Sequence, residues 1–271
     1  MQTSQRTVSK NVQLMITCLC DAFYAEAAQA AFLVLEHAGC TVSVPDAQTC
    51  CGQPAFNAGD WKATRKVVRH TLQTFHGDQP IILPSGSCAH MVAEGYDLAF
   101  EHETDREKAL MLASRTWELC DFLVNGLGIR KWPGRLEATV TVHRSCHSRG
   151  SESHAAALTL LGSIEGVRIL DFDEPEQCCG FGGTFSVAYP NTSIEMGALK
   201  LKNLLKPAPQ YVGTLDLACM MHVSGIAGHR SIPLTVKHVA ELLMMALESE
   251  STPTRTVTER SGTHNRPSER P

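Results

Sequence analysis

No stretch of this sequence approaches the run of about 20 apolar residues that a membrane-spanning helix needs. Residues 1–10 are polar and lead into a strand-like segment, so no secretory leader is expected. The 24 Lys and Arg residues are dispersed among 28 Asp and Glu, leaving a net charge of −4 and no basic block that would hold nucleic acid. Neither a Walker loop nor a G-x-G-x-x-G is present, and no Ser-His-Asp arrangement stands out. The run Gly180-Phe181-Gly182-Gly183 follows a cysteine pair rather than a strand, so it does not read as a nucleotide loop. Also missing are the paired C-x-x-C knuckles common in structural zinc sites. What these absences leave is a soluble, cytoplasmic protein of ordinary composition, 43% hydrophobic and long enough to bury a core without disulfide staples.

Against that background the 11 cysteines are conspicuous. In a cytoplasmic protein they point to metal or redox chemistry rather than a disulfide framework. Cys50-Cys51-Gly52 and Cys178-Cys179-Gly180 are adjacent pairs, and bridging adjacent cysteines closes a strained ring. The glycine after each pair lets the backbone turn so that both sulfurs can face one centre. Cys18 precedes the first pair as Cys146 precedes the second, each with 31 residues between; Cys88 and Cys219 follow after 36 and 39. This double pattern repeats after 128 residues and predicts two similar halves.

Each half reads as alternating strands and helices, the rhythm of a parallel α/β sheet. In the first half, strands are predicted over residues 11–17, 41–44 and 81–83. Helices are predicted over 22–38, capped by Asp21 and stopped by Gly39, and over 60–75. A linking helix over 104–125 has Thr104 and Glu107 at capping-box spacing. The second half predicts strands over 139–142, 167–172 and 211–215. Its helices are predicted over 153–161, after Thr192 and Glu195, and over 236–247. The division is therefore a first cysteine-rich domain over 11–100, a helical linker over 101–138, a second cysteine-rich domain over 139–248, and a disordered tail over 249–271. That tail has Val257 as its only aliphatic residue.

The predicted strands place Cys18, Cys50, Cys51 and Cys88, and equally Cys146, Cys178, Cys179 and Cys219, beyond the carboxyl ends of their sheets. Sites in such folds form there. Four cysteines per half meet the ligand count of an iron–sulfur cluster or of an all-cysteine zinc site, and ligands scattered over three loops favour the cluster. Cys120 falls on an apolar helical stripe and reads as a small core hydrophobe; Cys20 reads as packing, and Cys40 has no counterpart in the other half. His90, His143, His147 and His222 flank the cysteine loops, and Cys219-x-x-His222 has the spacing of a ligand pair. Polar neighbours such as His143 and His147 would tune potential or shuttle protons.

The segments TCLCDAF, CCGQPAFNAG, PSGSC, SCH at Cys146 and CCGFGGTFSV resemble the CCG cysteine-rich domain family, over nearly everything except the two ends. That family includes a cysteine-rich component of the heterodisulfide reductases and the iron–sulfur component of glycolate oxidase. The chain is most similar to its lactate-utilization branch. The resemblance implies two CCG domains, one or two 4Fe-4S clusters on the eight cysteines, and electron transfer with two partner proteins in oxidising L-lactate, a small 2-hydroxy acid, to pyruvate. A glycolate oxidase or heterodisulfide-reductase-type subunit is the neighbouring reading; a non-catalytic zinc scaffold is the alternative of another class. Cys88 and Cys219 lack the C-x-x-C partner seen in the reductases, so the five-cysteine cluster of those proteins does not follow.

Overall fold

The computed structural model describes residues 8–251. The expected disordered tail falls, from residue 252 onward, outside the described residues.

The first half runs β1 (Asn11–Leu14), α1 (Cys18–Phe23), α2 (Ala25–His37), β2 (Thr41–Ser43), α3 (Gln53–Asn57), α4 (Trp61–Thr74) and β3 (Ile81–Leu83). It continues through α5 (Gly86–His90), a π-helical turn (Met91–Gly95), α6 (Tyr96–Ala99), α7 (Arg106–Ala113) and β4 (Thr116–Glu118). Then α8 (Leu119–Asp121) and a second π-helical turn (Phe122–Gly126) lead to β5 (Arg135–His143) and a 3-10 turn (Cys146–Ser148). The second half proceeds through α9 (Ser153–Gly162), β6 (Glu165–Ile169), α10 (Thr184–Ala188), α11 (Pro190–Leu205), β7 (Tyr211–Thr214), α12 (Leu217–His229), β8 (Val236–His238) and α13 (Val239–Ser251).

Both halves form four-stranded, all-parallel sheets with one strand order, β2-β1-β3-β4 and β6-β5-β7-β8. The internal repeat read from the cysteines is thus a repeat of topology. Ile81, Ile82 and Leu83 are all buried, as a parallel strand covered on both faces requires. The predicted stop at Gly39 is present: its φ of +80° lets Gly39 N–H and Cys40 N–H return to Glu36 O and Leu35 O. Asp60 caps α4, accepting from Ala63 N–H at 2.9 Å.

Several expected elements differ. The helix predicted over 22–38 starts earlier, at Cys18, and breaks at Tyr24; Asp21 sits inside the first turn of α1 instead of capping. The linking helix predicted over 104–125 is two helical pieces around strand β4, which pairs with β3. Asp105 rather than Thr104 precedes α7, and its carboxylate is taken by Arg69 at 2.9 Å. Thr192 and Glu195 form no capping box: α11 opens on Pro190, and Glu195 pairs with Arg230. In the last predicted helix, residues 236–238 are strand β8. The strand predicted over 167–172 lies at Glu165–Ile169.

The halves interlock. The helix after each fourth strand crosses to the other half: α13 packs on α2, while α8 and its π-helical turn pack on α9. One apolar core consequently runs through both, joining Leu14, Val34 and Leu35 to Leu119, Val140, Leu160 and Leu243. Truncating one such leucine to alanine costs about 2–5 kcal/mol. Trp132 fastens the joint, with its indole N–H donating to Leu243 O at 2.9 Å.

Candidate metal centre

The crossing helices hold the two sheets so that the loops beyond their carboxyl ends face each other. A single cavity results, with about 170 Å³ of room for solvent-sized groups, and all eight repeated cysteines line it. The first half contributes Cys18, Cys50, Cys51 and Cys88, and the second Cys146, Cys178, Cys179 and Cys219.

Each cysteine is placed by a local device. Cys18 opens α1 directly after Thr17, whose φ of +73° is unusual for a β-branched residue and turns the chain into the cavity. Gly52 and Gly180, at φ +94° and +88°, bend each pair loop so that Gly52 N–H and Gly180 N–H point at Cys50 Sγ (3.5 Å) and Cys178 Sγ (3.4 Å). A Cβ at Gly180 would stand 2.5 Å from Ser193 O, so no other residue fits there. Cys88 and Cys219 lie in the first turns of α5 and α12, capped by Ser85 and Asp216.

Within the first set, Cys18 Sγ donates to Cys50 Sγ at 3.6 Å, and Cys51 bonds both Cys50 and Cys88. In the second, Cys179 and Cys219 sulfurs are 2.9 Å apart, and Cys146 bonds Cys178. These contacts concentrate negative charge on one sulfur per half. Donation from the Cys18 thiol, then from Cys51, pushes Cys50 down to about 3. Donation from Cys146, then from Cys179, pushes Cys178 down to about 2. The donating thiols are raised in return. Closely packed thiols sharing protons in this way suit a cation that replaces those protons.

The remaining cysteines behave as core residues. Cys120 is fully buried in the joint core, Cys40 packs at its edge, and Cys20 sits with Leu217 and Met220 of the other half. Burial pushes the Cys20 thiol up to about 12. Of the histidines, His147 lines the cavity with Nδ1 3.6 Å from Cys146 Sγ, and His90 of the other half packs against it with ring centres 5.1 Å apart and planes tilted by 52°. His222 is otherwise engaged: its Nε2–H donates to Ser193 O at 3.1 Å. His143, at the end of β5, is buried, and a ring nitrogen lies within 4.8 Å of the sulfurs of Cys179 and Cys219. Burial pushes it down to about 3, so the imidazole is neutral.

Sequence reasoning missed three supports. Asp216 accepts from Ala218 N–H at 3.1 Å and, across the joint, from Ser87 N–H at 2.8 Å, so one carboxylate holds the Cys219 and Cys88 loops together. Its place just before an apolar helical run is the signal that could have found the cap; the crossing has no sequence signal. Glu176, two residues before the second pair, binds Arg144 and Arg149 around Cys146. Fully buried Lys200 donates to Pro175 O at 2.9 Å and lies 4.7 Å over the Phe172 ring, bracing the same loop.

Comparison with known proteins agrees with this double site. The model of the CCG cysteine-rich domain matches residues 12–93 and 140–224, one match per half. Lactate utilization protein A 1 of Bacillus mycoides is 38% identical over 234 residues, covering 86% of this chain and 96% of its own. Lactate utilization protein A of Anoxybacillus flavithermus is 38% identical over 86% of this chain and 98% of its own. Among solved structures, a hypothetical protein from Helicobacter pylori shares the fold, with a TM-score of 0.59 at 10% identity, over 89% of this chain and 50% of that one. The repeated cysteine pairs, the duplicated sheet and these matches together make the chain a member of the CCG cysteine-rich domain family, with the lactate utilization A proteins among its relatives.

Proposed function

We propose that the chain is an iron–sulfur subunit of a cytoplasmic, multi-protein system that oxidises L-lactate to pyruvate. The observation that carries this reading is the convergence of two four-cysteine sets on one cavity, in a chain whose relatives are named for lactate utilization.

The donor set fits the group. Each half offers four thiols linked by contacts, one favoured as thiolate, on loops bent by glycine. Cys18, Cys50, Cys51 and Cys88 would hold one cluster, of 4Fe-4S type, and Cys146, Cys178, Cys179 and Cys219 a second. Such a cluster supplies reversible one-electron acceptance at a potential set by its ligands and surroundings. One in each half gives a capacity equal to the two electrons released by lactate oxidation. His147 lines the cavity beside Cys146, with His90 of the other half against it, and is placed to relay protons there. Buried Leu217 and half-buried Phe181 give the cavity apolar wall beside the thiols.

The fold offers no nucleotide or flavin loop in its sequence, so removal of hydrogen from the substrate carbon is assigned to two partner proteins. The test is turnover of L-lactate with an artificial acceptor by the purified, cluster-loaded chain, alone and with its partners. Activity only on reconstitution is expected. Robust turnover by the chain alone would contradict the subunit reading.

A further inference from the structure

Among the described residues, His143 is a buried histidine beside the cysteine sites that has no hydrogen-bond partner at either ring nitrogen. It ends β5 with 3% of its surface exposed. A buried polar group left in that state is destabilising. Yet one of its nitrogens and the sulfurs of Cys179 and Cys219 all lie within 4.8 Å of one another. The corresponding place in the first half, three residues before Cys18 as His143 is before Cys146, holds Met15, also buried. A thioether needs no partner; a buried imidazole does.

We propose that the second half is a mixed thiolate–imidazole metal centre in which a ring nitrogen of His143 is a ligand beside Cys179 and Cys219, whereas the first half binds through thiolates alone. This rests on the reading that the cysteine sets hold metal. Imidazole and thiolate together are donors that both zinc and the irons of some clusters accept. With four cysteines already in the set, His143 either replaces one of them at the metal or adds to them. Cys146 is the replaceable one, since its sulfur is shared with His147 Nδ1 at 3.6 Å. Where the metal is iron in a cluster, exchange of a thiolate for a neutral imidazole makes the centre less negative and raises its reduction potential. The two halves would then differ in potential, the second being the easier to reduce.

The full chain, loaded anaerobically with iron and sulfide, is examined by pulsed EPR after reduction. The variant Cys50→Ala/Cys51→Ala isolates the second site. The proposal expects strong nitrogen coupling to that signal, altered by ¹⁵N-histidine labelling and retained in His147→Ala. It expects loss of the coupling and a lower potential in His143→Met, a change that copies Met15 and conserves apolar volume, with the melting temperature confirming folding. Iron present in the second site without coupling from a bound nitrogen overturns the proposal and leaves the iron–sulfur reading intact. A chain that takes zinc in place of iron defeats the iron–sulfur reading, and X-ray absorption then decides on His143. A Zn–N shell at about 2.0–2.1 Å that disappears in His143→Met supports the proposal, and a sulfur-only shell overturns it. A folded chain that binds neither metal overturns both.

Discussion

Two residues before its cysteine pair the first half carries Gln48, and the second half carries Glu176. Gln48 accepts from Ile16 N–H at 2.7 Å and donates to Pro45 O at 3.1 Å, tying the pair loop to the end of β1 through neutral backbone bonds. Glu176 does the same work through charge, gripping Arg144 and Arg149 on either side of Cys146. The contrast continues at Met15 against His143 and at Ser85 against Asp216. These three matched positions are ionisable around the second site and apolar or neutral around the first, and Lys200, which burial pushes down to about 8, adds to the second. Duplication has preserved what places the sulfurs and has varied what surrounds them. Surroundings of that kind are what tune a metal centre.

The comparison is broken most directly by removing one pair at a time. Cys50→Ala/Cys51→Ala and Cys178→Ala/Cys179→Ala are each expected to lose about half of the bound metal, since each half supplies a separate ligand set. Metal analysis of folded protein checks this. Full retention in either variant would refute the assignment of that pair.

A smaller effect separates the two caps. Asp216→Ala leaves Ser87 N–H buried without an acceptor and uncaps α12, an expected loss of about 2–4 kcal/mol from the two contributions together. Ser85→Ala, which loses 3.4 Å contacts to Cys88 N–H and to Ser87 Oγ, is expected to cost about 1 kcal/mol. Urea unfolding of the two variants tests the order; equal losses would mean that the Asp216 bond across the joint contributes nothing.

Glu118 and His238 end the fourth strands of their sheets and open the crossing helices, again with unlike chemistry. Glu118 accepts from Cys120 N–H at 2.9 Å and Asp121 N–H at 3.1 Å, and burial pushes its carboxyl up to about 8 from 4.5. The folded state therefore holds a proton that the unfolded state releases. Its contribution is complete below pH 4.5 and is lost as pH rises through 8, by a few kcal/mol at about 1.4 kcal/mol per pH unit. His238 is pushed down by burial to about 4 from 6.5, which works in the opposite sense: stability is gained as pH rises from 4 to 6.5. Glu118→Gln is expected to leave the His238 rise unopposed below pH 6.5 and to remove the fall between pH 6.5 and 8. An unchanged pH profile would show that Glu118 is not the group responsible. The smallest effect belongs to Cys120→Ala, with metal content unchanged and stability lowered by about 1 kcal/mol, as for a small buried hydrophobe.

The cysteine spacing carried the repeat, and strands such as Ile81–Leu83 and Tyr211–Thr214 were legible because each is a compact apolar run ended by a turn or cap residue. Strands β4 and β8 were not legible. Thr116–Glu118 and Val236–His238 are three residues long and pass straight into helices, so helical periodicity covers them, and only pairing with β3 and β7 makes them strands. Capping boxes at Thr104 and Thr192 failed because the helices start elsewhere: Asp105 precedes α7, and α11 opens on Pro190, which puts Thr192 inside the helix. The crossing of α8 and α13 between halves, and with it the joining of both cysteine sets in one cavity, depends on tertiary contacts between the halves that no local pattern records.

The central claim is that the two cysteine sets hold iron–sulfur groups, and metal and sulfide analysis of the anaerobically purified full chain, combined with EPR, tests it most directly. The account predicts a brown protein with iron and acid-labile sulfide in matching amounts, partitioned between the halves, and an EPR signal on reduction. A colourless, fully folded protein containing zinc and no sulfide would contradict it.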